Sequence, residues 1–242
     1  MPIGIPVPEG EIARRSLPFF WIADYSGSMG GKKIATLNQA IREALPEVRK
    51  ALAAHPEVSM MMRAIKFSDA AGWHVGPQAV PVDRFAWPEL STAGATSTAR
   101  AIRLLASELT LEKMPRHGCP PVCILISDGA CTDPEGDYDA AIAELLALPW
   151  GRKAVRLAIG VGDESDYDED ELLKFVSHRE IGVLKADTPG KLVHYITWAS
   201  VAATVGSTVG KSRMGGSGPN EPNVALPQPE PMPAASNSLD VF

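Results

Sequence analysis

Cysteine is scarce in this chain, and long apolar runs and basic clusters are missing from it. Three cysteines cannot form a closed set of disulfides. Cys119 and Cys131 bracket the apolar run 122–127, and six extended residues at roughly 3.3 Å each would hold its ends about 20 Å apart, too far to bridge. A reducing compartment is therefore expected. No stretch of 18 apolar residues occurs, and Met1 to Glu11 lacks the charged start, apolar middle and small-residue cleavage site of a secretion signal. These absences predict a soluble, cytoplasmic protein with no membrane partner. The largest basic groupings are Lys32-Lys33 and Arg14-Arg15, and the net charge is -6. That balance argues against a nucleic-acid partner and favours basic ones. The five histidines (55, 74, 117, 178 and 194) stand too far apart for a ligand pair or a catalytic dyad.

Enough is present for one sizeable domain: 242 residues, of which 45% are hydrophobic, accommodate a large α/β domain and a tail. The apolar run Phe19 to Ala23 reads as a strand. Beyond it Ile34, Leu37, Ile41, Leu45, Val48 and Leu52 recur at three- and four-residue steps, which predicts a helix over about 32–54 that Pro46 should kink or interrupt. Further strands are expected at 58–67, at 73–82 as a proline-marked edge, at 122–127, 154–161 and 181–184. Helices are expected through Ile102, Leu105 and Leu109, and at 138–148, 170–176 and 191–201. This alternation predicts a doubly wound, Rossmann-like, mostly parallel sheet with helices on both faces. Residues 1–16 read as an extended arm, 17–203 as the domain, and 204–242 as a Gly/Ser/Pro-rich disordered tail whose last residues, Leu239 to Phe242, are a minor docking candidate.

Chemistry concentrates where the first strand ends. Asp24-Tyr25-Ser26-Gly27-Ser28, followed by Met29-Gly30-Gly31, places a carboxylate and two hydroxyls at alternate positions on a loop that glycine lets fold back. Thr96 lies in the small-residue loop Thr92 to Ser97 ahead of a helix. Asp128 ends the apolar run 122–127 and precedes Gly129. In doubly wound sheets the loops beyond the carboxyl ends of the central strands meet where strand order reverses, so Asp24 and Asp128 are placed to share one cation. Oxygen donors alone suit a hard ion. Mg²⁺ is expected, with Mn²⁺ or Ca²⁺ as substitutes, and zinc is disfavoured because none of the five is His or Cys.

The pattern Asp-x-Ser-x-Ser, then Gly-x-Thr, then a strand ending Ser-Asp-Gly resembles the von Willebrand factor A family over about residues 16 to 203. Within that family the chain looks most like bacterial intracellular members of the tellurium-resistance type. The resemblance maps the metal-site positions onto Asp24, Ser26, Ser28, Thr96 and Asp128, with Tyr25 bulkier than the usual residue there. It implies a metal-dependent protein-binding module rather than an enzyme, in which a partner's acidic residue completes the coordination sphere. Tyr25, Gly27, Met29, Ser97 and Gly129 are then the expected partner-contacting residues. It further implies partners such as a Ser/Thr kinase and a metal-dependent phosphatase in a bacterial stress or conflict system.

Several other readings compete. Ser26 and Ser28 as helix caps and Asp128 as a turn cap would explain each segment singly, but not the agreement of five positions across three distant segments. A phosphatase with Asp24 as nucleophile lacks the second aspartate two residues on, where Ser26 stands. A chelatase-like subunit working beside an AAA ATPase would use the same site. Gly30-Gly31-Lys32-Lys33 fails as a phosphate-binding loop, because Ser26 stands at the first glycine position and Lys33 where Ser or Thr is required. The acidic run Asp163 to Asp170 fails as an EF-hand, since Glu171 occupies the glycine position counted from Asp166. It reads as a helix-capping, solvated loop suited to a basic partner.

Overall fold

The computed structural model describes residues 14–129, 131–162, 167–208 and 224–230. In chain order these form β1 (Arg15–Asp24), a 3-10 turn (Gly27–Met29), α1 (Lys32–Ala53), β2 (Val58–Phe67), β3 (Ala71–Pro81), α2 (Thr98–Glu108) and β4 (Val122–Ser127). Then come α3 (Asp137–Ala147), α4 (Pro149–Lys153), β5 (Val155–Val161), α5 (Glu169–Phe175), β6 (Val183–Ala186) and α6 (Pro189–Thr208). The sheet order is β3-β2-β1-β4-β5-β6. Every neighbouring pair is parallel except β2 with β3.

β1 and β4 are covered on both faces, so their side chains divide by alternation between two cores. Phe19, Trp21 and Ala23 of β1, with Val122, Ile124 and Ile126 of β4, join the layer completed by α1 and α6. Phe20 and Ile22, with Cys123 and Leu125, join the layer completed by α2, α3 and α5. β1 begins earlier than the apolar run suggests. β4 pairs with β1 only from Phe19 onward, so Pro18 lies where one side of the strand has no ladder to complete.

α1 continues through Pro46 instead of breaking there. Ile41, Ala44, Leu45 and Val48 are buried along one side of that turn, and this packing holds the segment helical across the missing donor. α4 is too short to show a period in the sequence, and β6 starts two residues later than expected.

Arg156 of β5 is buried in the α5-side layer and reaches main-chain oxygens there. Its Nε donates to the Phe175 carbonyl, the last residue of α5, at 3.0 Å, and Nη1 donates to the Gly151 carbonyl in α4. The guanidinium thus meets the negative ends of two short helices, and among the described residues no carboxylate pairs with it.

The expected domain end at 203 falls inside α6, which runs to Thr208. Residues 224–230, assigned to a disordered tail by composition, lie along α6 and the α5–β6 connection. Val224 is buried in the α1/α6 layer with Leu226 packed beside it. Buried His178 donates through Nε2 to the Val224 carbonyl at 2.8 Å, and its Nδ1 faces the Ser177 hydroxyl at 2.9 Å. Gln228 donates to the Glu180 carbonyl at 3.0 Å, and His194 contacts the Glu230 carbonyl at the same distance. The expected arm, apart from residues 14–16, and the remaining tail positions lie outside the described residues. No described helix is long and apolar enough to cross a membrane.

Replacing Arg156 by alanine strands several buried carbonyls at once. A loss of about 2–4 kcal/mol in unfolding free energy is expected, measured by chemical denaturation.

Candidate metal centre

Asp24 is the last residue of β1 and Asp128 directly follows β4, the two strands between which the winding of the sheet reverses. Asp24 Oδ1 accepts the Ser26 N–H at 2.8 Å, a side-chain turn that bends the loop back over the strand end. Its Oδ2 accepts the Ser127 hydroxyl at 2.6 Å, and that hydroxyl accepts the Gly129 N–H at 2.9 Å. Ser28 Oγ donates to Asp128 Oδ1 at 2.9 Å and lies 3.0 Å from Ser26 Oγ. A hydroxyl carries one proton, so the chain runs from Ser26 to Ser28 to Asp128. The second oxygen of Asp128 faces Lys33 Nζ at 3.4 Å.

Thr96 reaches this rim through its main chain. The Gly27 N–H donates to the Gly94 carbonyl at 2.9 Å, and the Ala93 N–H to the Tyr25 carbonyl at 2.8 Å, which clips the 92–97 loop to the loop after β1. On its other side the Thr96 N–H donates to the Thr132 hydroxyl at 3.0 Å, while the Thr132 N–H donates to the Thr96 carbonyl at 2.8 Å. Gly94 and Gly129 both have φ of 76°. A side chain at Gly94 would also strike the Asp69 carboxylate, and one at Gly129 would crowd Tyr167 and the Asp168 main chain.

Four of the five expected ligands therefore join one hydrogen-bonded cluster, and Thr96 is fixed beside it by backbone bonds. Ser28 and Gly27 are exposed, so the cluster opens to solvent at the first loop. Of the expected contact residues, Tyr25 is half-buried with the Lys66 ammonium 5.4 Å from its ring centre. The Ser97 hydroxyl is turned to Asp133 Oδ1 at 2.6 Å. Met29 and Gly129 cannot serve as a docking surface. Met29 is 0% exposed because the 3-10 turn points it into the core, and Gly129 is buried against residues 167 and 168.

Four supporting residues escaped the sequence reading. Ser127 holds Asp24, Lys33 faces Asp128, Thr132 fixes Thr96, and Asp133 accepts the Ser97 hydroxyl and the Ala99 N–H at the start of α2. Ser127 could have been found from its place beside Asp128. Asp133 and Thr132 carry no spacing signal, because their partners lie more than thirty positions away.

Electrostatics at the centre are unfavourable without a cation. Burial pushes the Asp24 carboxyl up to about 6; hydrogen bonds from Ser127 and Ser26 pull the other way, and the Asp128 charge adds to the rise. Two carboxylates at 0% and 1% exposure thus sit at one rim, and the Lys33 ammonium is the cation paired with Asp128 among the described residues. Among the described residues no three His, Cys, Asp or Glu side chains converge, so an ion here would be held by two carboxylates and neutral oxygens. Such a donor set fits a hard divalent cation. The three cysteines are free, two of them buried, and none belongs to the cluster.

No family model and no curated relative matches the sequence. Solved structures do. A von Willebrand factor type A protein from Catenulispora acidiphila superposes with TM-score 0.60 at 17% identity, covering 78% of this chain and 43% of that one. The ArnB paralog VWA2 from Sulfolobus acidocaldarius gives 0.56 at 17%, covering 76% and 45%. Proximal thread matrix protein 1 from the mussel byssus, in a form described as having a zinc-occupied MIDAS motif, gives 0.53 at 18%, covering 79% and 46%. The fold is that of a von Willebrand factor A domain, and this chain spans under half the length of each of these structures.

Because the Asp24 carboxyl titrates near 6 in the folded chain and near 4 when unfolded, the folded state gains a proton first as pH falls. Metal-free stability is therefore penalised above pH 6 and recovers between about 6 and 4. In chelator, Asp24→Asn should be more stable than the parent at pH 7.5 by on the order of 2 kcal/mol, and the gap should shrink to about a third of that by pH 4.5. Denaturant titrations at the two pH values measure it.

Proposed function

We propose that this protein is a metal-dependent docking module that recruits a protein partner through an acidic side chain. The observation that carries this reading is the pairing of buried Asp24 and Asp128 with the Ser26–Ser28 hydroxyl chain, open to solvent at Ser28. Asp24, Asp128, Ser26 and Ser28 would hold the ion, Thr96 would complete the set, and Mg²⁺ is the ion proposed for a cytoplasmic setting. A bound divalent cation would supply a positive charge and one coordination position for a partner's carboxylate. Ser127 and the Ser26 N–H fix both oxygens of Asp24, so that carboxylate is presented in one orientation. Lys33 compensates Asp128 from the side of α1.

The zinc-occupied MIDAS motif described for the mussel protein, which shares the fold, supports divalent-ion binding as the common use of this arrangement. A phosphatase with Asp24 as nucleophile is less well supported, because both Asp24 oxygens accept hydrogen bonds and the group is 0% exposed. For partners we propose a bacterial stress or conflict system of the tellurium-resistance type, with a Ser/Thr kinase and a metal-dependent phosphatase as first candidates.

Mg²⁺ at about 100 times its Kd should stabilise the protein by roughly 2.7 kcal/mol, which for a chain of this size raises Tm by about 5–10 °C. Neither Asp128→Ala nor Asp24→Ala should show the shift, and both should lose partners that the parent captures in Mg²⁺ but not in EDTA. Folded variants that capture the same partners would overturn the reading.

A further inference from the structure

Beside the metal centre, sharing Gly129 as a wall, is a cavity of about 330 Å³ between the loop after β4, α3 and α5. That volume is at the low end for ligand pockets and is enough for one side chain. Five carboxylates line it, from Asp133, Glu135, Asp139, Asp168 and Glu171, against the single ammonium of Lys174.

Part of this charge is already used. Lys174 Nζ lies 2.7 Å from Glu171 and 2.9 Å from Asp139. Asp133 caps α2 through the Ser97 hydroxyl and the Ala99 N–H, and one oxygen of Asp168 accepts the Glu171 N–H. Glu135 and the outer oxygen of Asp168, both on exposed residues, remain directed at no described cation.

Acidity alone would describe only a solvated rim, but a second feature points inward. Tyr138 belongs to the cavity wall, is 4% exposed, and its hydroxyl has no hydrogen-bond partner among the described residues. After burial, the groups that most raise its titration are Glu171, Cys131, Asp139 and Asp133. All four are walls of the same cavity, so the hydroxyl faces that space. A buried phenol without a partner is costly, and a visiting N–H that donates to its oxygen relieves part of that cost.

We propose that this cavity receives one cationic side chain, an arginine or lysine of the docking partner, held by Glu135 and Asp168 with Tyr138 accepting an N–H at its base. An organic cation suits it better than a second metal ion, because no described trio of carboxylate, thiolate or imidazole groups converges there. The identity of the visitor as a protein side chain rests on the docking function proposed above. The partner would then carry an acidic and a basic residue close together, the first for the metal centre and the second for this cavity.

Cys131 lines the cavity and is only half-buried, whereas Cys119 and Cys123 are buried, so its alkylation by iodoacetamide reports on occupancy. With the full chain in Mg²⁺, N-acetyl-arginine amide at about 10 mM, above a millimolar Kd, should slow alkylation of Cys131 roughly fivefold. The neutral isostere N-acetyl-citrulline amide should leave the rate unchanged. Protection should disappear in the Glu135→Gln/Asp168→Asn double variant. In Tyr138→Phe it should require roughly tenfold more probe, with no fall in Tm. In Asp24→Ala it should persist, so a failed metal centre and a failed cavity give different results. Equal protection by both probes, no protection by either, or the same protection by Mg²⁺ alone would overturn the proposal.

Discussion

Two carboxylates forced out of water at one rim set the terms for the rest of this molecule. Asp24 and Asp128 sit at the ends of two adjacent central strands that have helices on both faces. Neither can relax toward solvent without unwinding a central strand. The surroundings respond mainly with short, directed bonds, with Lys33 adding charge beside Asp128: Ser127 and the Ser26 N–H take the two oxygens of Asp24, and Ser28 takes one of Asp128. Burial, with a smaller contribution from the Asp128 charge, raises the Asp24 proton affinity, a common mark of sites that trade stability for ligand capture.

The outer parts of the rim are held by backbone more than by side chains. The 92–97 loop is sewn to the loops after β1 and β4 by main-chain bonds from Ala93, Gly27 and Thr132, and its last residue to Ser68 beyond β2. Loops fastened in this way keep their shape when surface side chains change, so exposed positions on the rim can vary without moving its oxygens. The cavity behind Gly129 belongs to this same fabric, since Asp133 both caps α2 and forms one of its walls.

Much of this was legible from residue order. The continuous burial of β1 and β4, the edge character of β3 and the convergence of the first and fourth strand ends follow from apolar runs and from doubly wound topology. The sequence was least informative where tertiary packing overrides local preference. α1 crosses Pro46 because its neighbours are buried, and β1 admits Pro18 because β4 has not yet begun to pair. Met29 shows the limit at the site itself: the family resemblance places it among the contacting residues, and a single 3-10 turn sends it inward. Composition also misjudged residues 224–230, whose prolines and small residues suggested a free chain although Val224 and Leu226 have an apolar surface to cover.

That late segment bears on where the folding unit ends. Gly206 leaves room on α6 for the Val224 and Leu226 side chains, which approach within 2.7–2.8 Å of where its missing Cβ would be. A chain trimmed at 203, as composition would advise, would lose this glycine and its cover together. The imidazole of His178 would be left with a buried donor and no acceptor. Such a fragment would keep the whole Asp24–Asp128 cluster and still be a poorer protein, because part of its hydrophobic roof is supplied from beyond α6.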